Sequence, residues 1–192
     1  QHAAAAALKQ NLATVSFVGD PDEIRSVAES EGTDLAGIEI IDHLKNPRFD
    51  DFALKFFELR KHKGISHEEA ESKMKEPLTF AAMMVRKAMV DGMVAGAVNS
   101  TANVLRAAFT IVGMRQGIKT GSSCFIMVLP DHSFGLDGQM GFAACATVPF
   151  PDHKQLAEIA LASAESGKNL VGLDPRVAML SYSTKGSATH DS

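Results

Sequence analysis

The chain has 192 residues, a formal net charge of -4, 45 % hydrophobic residues and 22 % charged residues. This is ordinary globular usage. It argues against disorder, against a membrane-spanning helix, since no apolar run nears ~18 residues, and against nucleic acid as a partner, since there is no basic field. Two cysteines, Cys124 and Cys145, are too few for a disulfide framework. They read as buried or half-buried free thiols in a reducing compartment. With no Trp, one Tyr, 11 Phe and 9 Met, the core is expected to be aliphatic, Phe and Met.

In chain order, residues 3–11 read as a helix and 14–18 as a short strand. Asp20 is a natural N-cap, with Pro21 at the first helical position and Glu23 three residues past the cap, so a helix is expected to about Glu29. Residues 38–41 form a second short strand. Residues 49–61 place Phe52, Phe56 and Leu59 on one helical face, and Gly64 stops that helix. Ser66-His67-Glu68-Glu69 is a capping-box pattern opening a helix to about Lys75. Pro77 starts another, expected to reach Asp91-Gly92. Residues 93–98 read as a buried strand, followed by a helix through about Val112. Helices alternating with short apolar strands point to βα units and a mostly parallel sheet.

Beyond Gly113 the pattern changes. Residues 122–129 and 140–148 read as an antiparallel pair joined by a turn-rich loop. Asp152 with Gln155 caps a helix, and 177–182 form a further strand. A domain boundary is expected within 113–121, giving domains of 1–117 and 118–192. Both ends read as cut inside a fold.

Three segments could carry chemistry. Gly96-Ala97-Val98-Asn99-Ser100-Thr101 ends a strand and opens a helix with hydroxyl donors, and Arg106 lies about one turn in. Such a turn suits phosphate or carboxylate; equally, Ser100 or Thr101 merely caps the helix. Ser181-Tyr182-Ser183-Thr184-Lys185-Gly186-Ser187 follows another apolar strand, where ligands of open α/β sheets sit; it also reads as a surface loop. Glu58-Leu59-Arg60-Lys61-His62-Lys63-Gly64 gathers basic side chains at a helix C-terminus, or is simply solvated charge. Gly135, Gly138 and Gly141 lie between strands and do not make a dinucleotide fingerprint. No Cys/His spacing fits zinc.

Together these stretches, with Val90-Asp91-Gly92-Met93-Val94-Ala95 and Met127-Val128-Leu129-Pro130-Asp131, resemble the phosphate acetyl/butyryltransferase family over nearly the whole chain. The resemblance implies two three-layer α/β/α domains of the isocitrate/isopropylmalate dehydrogenase-like architecture with a cleft between them, in a cytoplasmic homodimer. It implies direct acetyl transfer between coenzyme A and inorganic phosphate, with acetyl phosphate as the other product, no resident cofactor and no metal. It sets Arg106 and Ser100 in catalytic roles, and Arg60, Asn99, Thr101, Ser183, Thr184, Lys185 and Ser187 in substrate binding. It implies that the chain corresponds to the family's middle portion, and it places Ala144 where the family usually has Asp. Two other readings stay open: a non-catalytic acetyl-CoA-binding regulatory module, and a butyryl-transferring enzyme.

Overall fold

A computed structural model describes residues 1–144, 148, 150–180, 183, 185 and 187. The chain divides into two compact units, Gln1–Gly113 and Met114–Ser192. The fold is mixed α/β, as expected.

The first unit runs α1 (His2–Lys9), β1 (Ser16–Val18), α2 (Pro21–Ser30), β2 (Glu39–Ile41), α3 (Phe49–Arg60), α4 (His67–Met74), α5 (Pro77–Arg86) and α6 (Thr101–Ala107). Strands β1 and β2 pair in parallel with Phe17 opposite Ile40. Local chemistry starts and stops these helices. The Asp20 carboxylate accepts the N–H groups of Asp22 and Glu23, and Pro21 occupies the first turn of α2. Ser66 and Glu69 exchange both bonds of a capping box at α4. After α3 a 3-10 turn, Lys61–Lys63, ends on Gly64 at φ 80°, a left-handed position that glycine takes without steric cost.

The core of this unit is helix on helix. Phe52 and Phe56 of α3, Met74 of α4, Phe80, Met83 and Met84 of α5, and Ala107 at the end of α6 are buried in one cluster. Val18 and Ile41 of the small sheet pack against its edge. Full burial of each large apolar side chain contributes roughly 1.5–3 kcal/mol, so α5, with three such groups (Phe80, Met83 and Met84), stabilises the unit most.

Two expectations for this unit fail. Helix α5 does not reach Asp91: it ends at Arg86, where Ala88 takes φ 53°. The N–H of Ala88 bonds the Val85 carbonyl and that of Met89 bonds the Met84 carbonyl, which closes the helix in a Schellman motif. Residues 93–98 are not a buried strand. They take no regular structure, and Val94 and Val98 are fully exposed. An apolar run becomes a strand only where a neighbour offers ladder hydrogen bonds, and no described strand pairs with it. The expected helix through Val112 is present, but its last turn, Ala108–Val112, is π-helical.

The second unit holds β3 (Cys124–Val128), β4 (Gln139–Ala143) and α7 (His153–Val171). The strands pair antiparallel with Phe125 opposite Phe142. In their connection, Gly138 at φ 81° lies where a Cβ would come within 2.6 Å of the Leu129 carbonyl oxygen, so the turn requires glycine. Asp152 and Gln155 form the expected capping box of α7. Ile159 of α7 is buried, and Cys124 is a half-buried free thiol. The expected strand at 177–182 is not seen over its described part: residues 174–180 are irregular and exposed, for the same want of a paired neighbour. Strand β4 ends at Ala143, short of the expected 148, with 144 and 148 irregular; residues 145–147, 181 and 182 lie outside the described residues.

Among the described residues the sheets are thus two separate pairs, one parallel and one antiparallel, rather than the expected mostly parallel sheet. Among the described residues no helix is long and apolar enough to cross a membrane.

Candidate functional site

The strongest candidates lie in the first unit, on α6 and the segment before it. Ser100 is the N-cap: its hydroxyl accepts the Asn103 N–H at 3.3 Å and its carbonyl accepts the N–H groups of Asn103 and Val104. The cap reading of Ser100 therefore holds, and its hydroxyl is at least partly committed to the helix. Asn99 is half-buried and Thr101 exposed, and neither side chain makes a hydrogen bond among the described residues.

Arg106 is exposed in the last turn of α6. Its Nη1 donates to Asn103 Oδ1 at 3.2 Å. One face of the guanidinium is thus oriented while its other donors remain available for a planar anion. The Thr110 hydroxyl donates to the Arg106 carbonyl at 2.7 Å, inside the π-helical turn. Asn103 and Thr110 were missed by sequence reasoning. Their i, i+3 and i, i+4 spacing from Arg106 was the available signal.

Arg60 ends α3, half-buried, with no hydrogen bond or ion pair among the described residues. The nearby carboxylate is otherwise engaged: Lys55 Nζ donates to Glu58 Oε2 at 2.7 Å. That bond, then the Lys55 charge, with smaller help from Lys61 and Lys87, holds the Glu58 carboxyl below the usual glutamate range. Arg60, Lys61 and Lys63 consequently form a local excess of positive charge at a helix C-terminus.

The remaining candidates belong to the second unit. Ser183 is half-buried; Lys185, at φ 50°, and Ser187 are exposed. Thr184 lies outside the described residues. Ala144 sits at φ 57°, a conformation that Asp adopts more readily than Ala. Among the described residues no group of three or more His, Cys, Asp or Glu is placed to hold a metal ion.

A family model described as phosphate acetyl/butaryl transferase matches residues 1–192. The chain belongs to this family. It is 48 % identical over 184 residues to a phosphate acetyltransferase of Thermoanaerobacterium thermosaccharolyticum, covering 96 % of this chain and 56 % of the relative. It is 46 % identical over 176 residues to a phosphate acetyltransferase of Treponema pallidum, covering 91 % and 52 %. Among solved structures, a phosphotransacetylase from Staphylococcus aureus aligns with TM-score 0.82 at 34 % identity, over 98 % of this chain and 55 % of its own. One from Streptococcus pyogenes aligns with TM-score 0.83 at 32 % identity, over 98 % and 56 %. The chain spans about half the length of these relatives.

Proposed function

We propose that the protein is a phosphate acetyltransferase, with this chain supplying part of its substrate site. The reading rests above all on the 48 % identity to a protein of that name across 96 % of the chain. The three-layer, dehydrogenase-like architecture, the domain limits of 1–117 and 118–192, the homodimer and the cytoplasmic location belong to the same proposal.

In the synthetic direction the CoA thiolate attacks the carbonyl carbon of acetyl phosphate. The C–S bond forms, the C–O bond to phosphate breaks, and phosphate leaves with the electron pair. The thiol proton passes to solvent or to the leaving phosphate. No electrons are exchanged with a redox partner and no group is left on the protein. The barrier lies in bringing two anionic substrates together and in the charge that builds on the carbonyl and leaving oxygens. Arg106 is assigned to that charge because its guanidinium is oriented by Asn103 yet open to solvent. Ser100, Thr101 and Asn99, at the N-terminal end of the same helix, are assigned as its short polar groups. Arg60 is assigned to the phosphates of CoA or to inorganic phosphate, because its charge is not spent on a carboxylate. Ser183, Thr184, Lys185 and Ser187 are assigned to substrate binding.

The test is thioester formation from CoA and acetyl phosphate. Turnover that stops when either substrate is omitted supports the reading. Acetyl-CoA binding without phosphate-dependent turnover supports the regulatory module instead. A higher kcat/KM for butyryl phosphate than for acetyl phosphate would transfer the reading to the longer acyl group.

A further inference from the structure

Arg86 has no carboxylate partner among the described residues, yet it is not idle. It is the last residue of α5, and its Nη1 donates to the Ile111 carbonyl at 2.6 Å and to the Val112 carbonyl at 3.1 Å. Both acceptors lie in the π-helical turn that continues α6. Arg86 thus ends one helix while its guanidinium stands at the C-terminus of another, the continuation of α6. A helix C-terminus leaves unpaired carbonyls and carries the negative end of the helix dipole.

The tie leads directly to Arg106. Ile111 is buried in the helical core together with Ala107, so the inner face of the turn cannot slide. Thr110 bonds the Arg106 carbonyl from within the same turn. Such π turns are rare and occur mostly as single turns within α-helices, frequently at functional sites. Arg86 contacts this one from a different helix, five residues beyond the candidate catalytic arginine. Gly113, at φ 90°, follows at once and bonds back to the Ala108 carbonyl, so the turn ends where Arg86 grips it.

We propose that Arg86 is a positioning residue for Arg106, fixing the end of α6 so that the Arg106 guanidinium is held where the acyl phosphate reacts. This rests on the assignment of Arg106 given under the proposed function. Arg86 touches no substrate in this account.

The experiment compares Arg86→Met, Arg86→Lys, Arg106→Ala and the Arg86→Met/Arg106→Ala double variant in the full-length protein carrying residues 1–192. Initial rates of acetyl-CoA formation are read with the thermal midpoint of each variant, at a temperature where all are folded. Arg86→Met should lower kcat about five- to tenfold, the cost of a small misplacement, with little change in KM for CoA. Arg86→Lys, which keeps a cationic donor, should recover most of that loss. Adding Arg86→Met to Arg106→Ala should cost roughly nothing further, because the two act through one group. A folded Arg86→Met with wild-type kcat, or losses that multiply in the double variant, overturns the positioning role while leaving Arg106 in place. Full activity of Arg106→Ala overturns the assignment of Arg106 itself, and this proposal with it.

Discussion

The rings of Phe52 on α3 and Phe80 on α5 lie 4.9 Å apart at 45°, and both side chains are fully buried. That pair joins the helix ending in Arg60 to the helix ending in Arg86. The stability of the first unit and the placing of its arginines therefore share one contact.

Phe80→Ala should lower unfolding stability by about 3–5 kcal/mol, the cost of emptying a buried aromatic site. Urea denaturation followed by far-UV circular dichroism measures it. A loss below about 1 kcal/mol would mean that Phe80 is not the central packing group of this unit.

Ala88→Gly should raise stability. Ala88 holds φ 53° at the end of α5 with no hydrogen-bonding side chain to compensate, and a left-handed L-residue costs roughly 1–2 kcal/mol. The gain will be smaller, about 0.5–1 kcal/mol, because glycine also loosens the unfolded chain. A lower urea midpoint in the glycine variant would contradict the left-handed assignment.

The capping residues were legible in the sequence because they act within three or four residues. Asp20, Ser66, Pro77, Asp152 and the stop at Gly64 all perform as their positions predict. The apolar runs at 93–98 and 177–180 were misread because a strand depends on a distant neighbour that local pattern does not contain. The early end of α5 was illegible for another reason: alanine carries no signal for a left-handed turn. In the candidate site, the Ser100 cap and the exposed Arg106 could be placed from spacing, but their chemistry came from family resemblance. Asn103, Thr110 and Arg86 were passed over because hydrogen bonds to a helix neighbour or to backbone carbonyls leave no motif.

Ser66→Ala should cost about 1 kcal/mol through loss of a cap whose hydroxyl accepts the Glu69 N–H at 3.1 Å. Glu69→Gln should cost less, since an amide oxygen still accepts from the Ser66 N–H. Equal losses in the two variants, by urea denaturation, would argue against the reciprocal capping box.

Stability of the second unit should fall with acid through Glu158. Its carboxylate accepts the Thr120 N–H at 2.8 Å and the Lys119 N–H at 3.2 Å. The Thr120 hydroxyl, then these backbone donors and the Lys119 charge, outweigh desolvation and hold its pKa below the ordinary 4.5. A depressed folded-state pKa stabilises the fold above the unfolded value and loses that stabilisation as pH falls through the folded one. Glu158→Gln should therefore flatten the dependence of unfolding free energy on pH below 4.5 and leave its slope near neutrality unchanged. An unaltered acid limb would remove Glu158 from the account.

The most direct measurement of the central claim is the initial rate of acetyl-CoA formation from CoA and acetyl phosphate by the full-length wild-type protein and its Arg106→Ala variant, both confirmed folded. The account predicts turnover in the wild type and a loss of at least about tenfold in the variant, equivalent to ~1.4 kcal/mol of transition-state stabilisation. A wild-type protein that binds acetyl-CoA but forms no thioester, or a variant with undiminished kcat/KM, would contradict it.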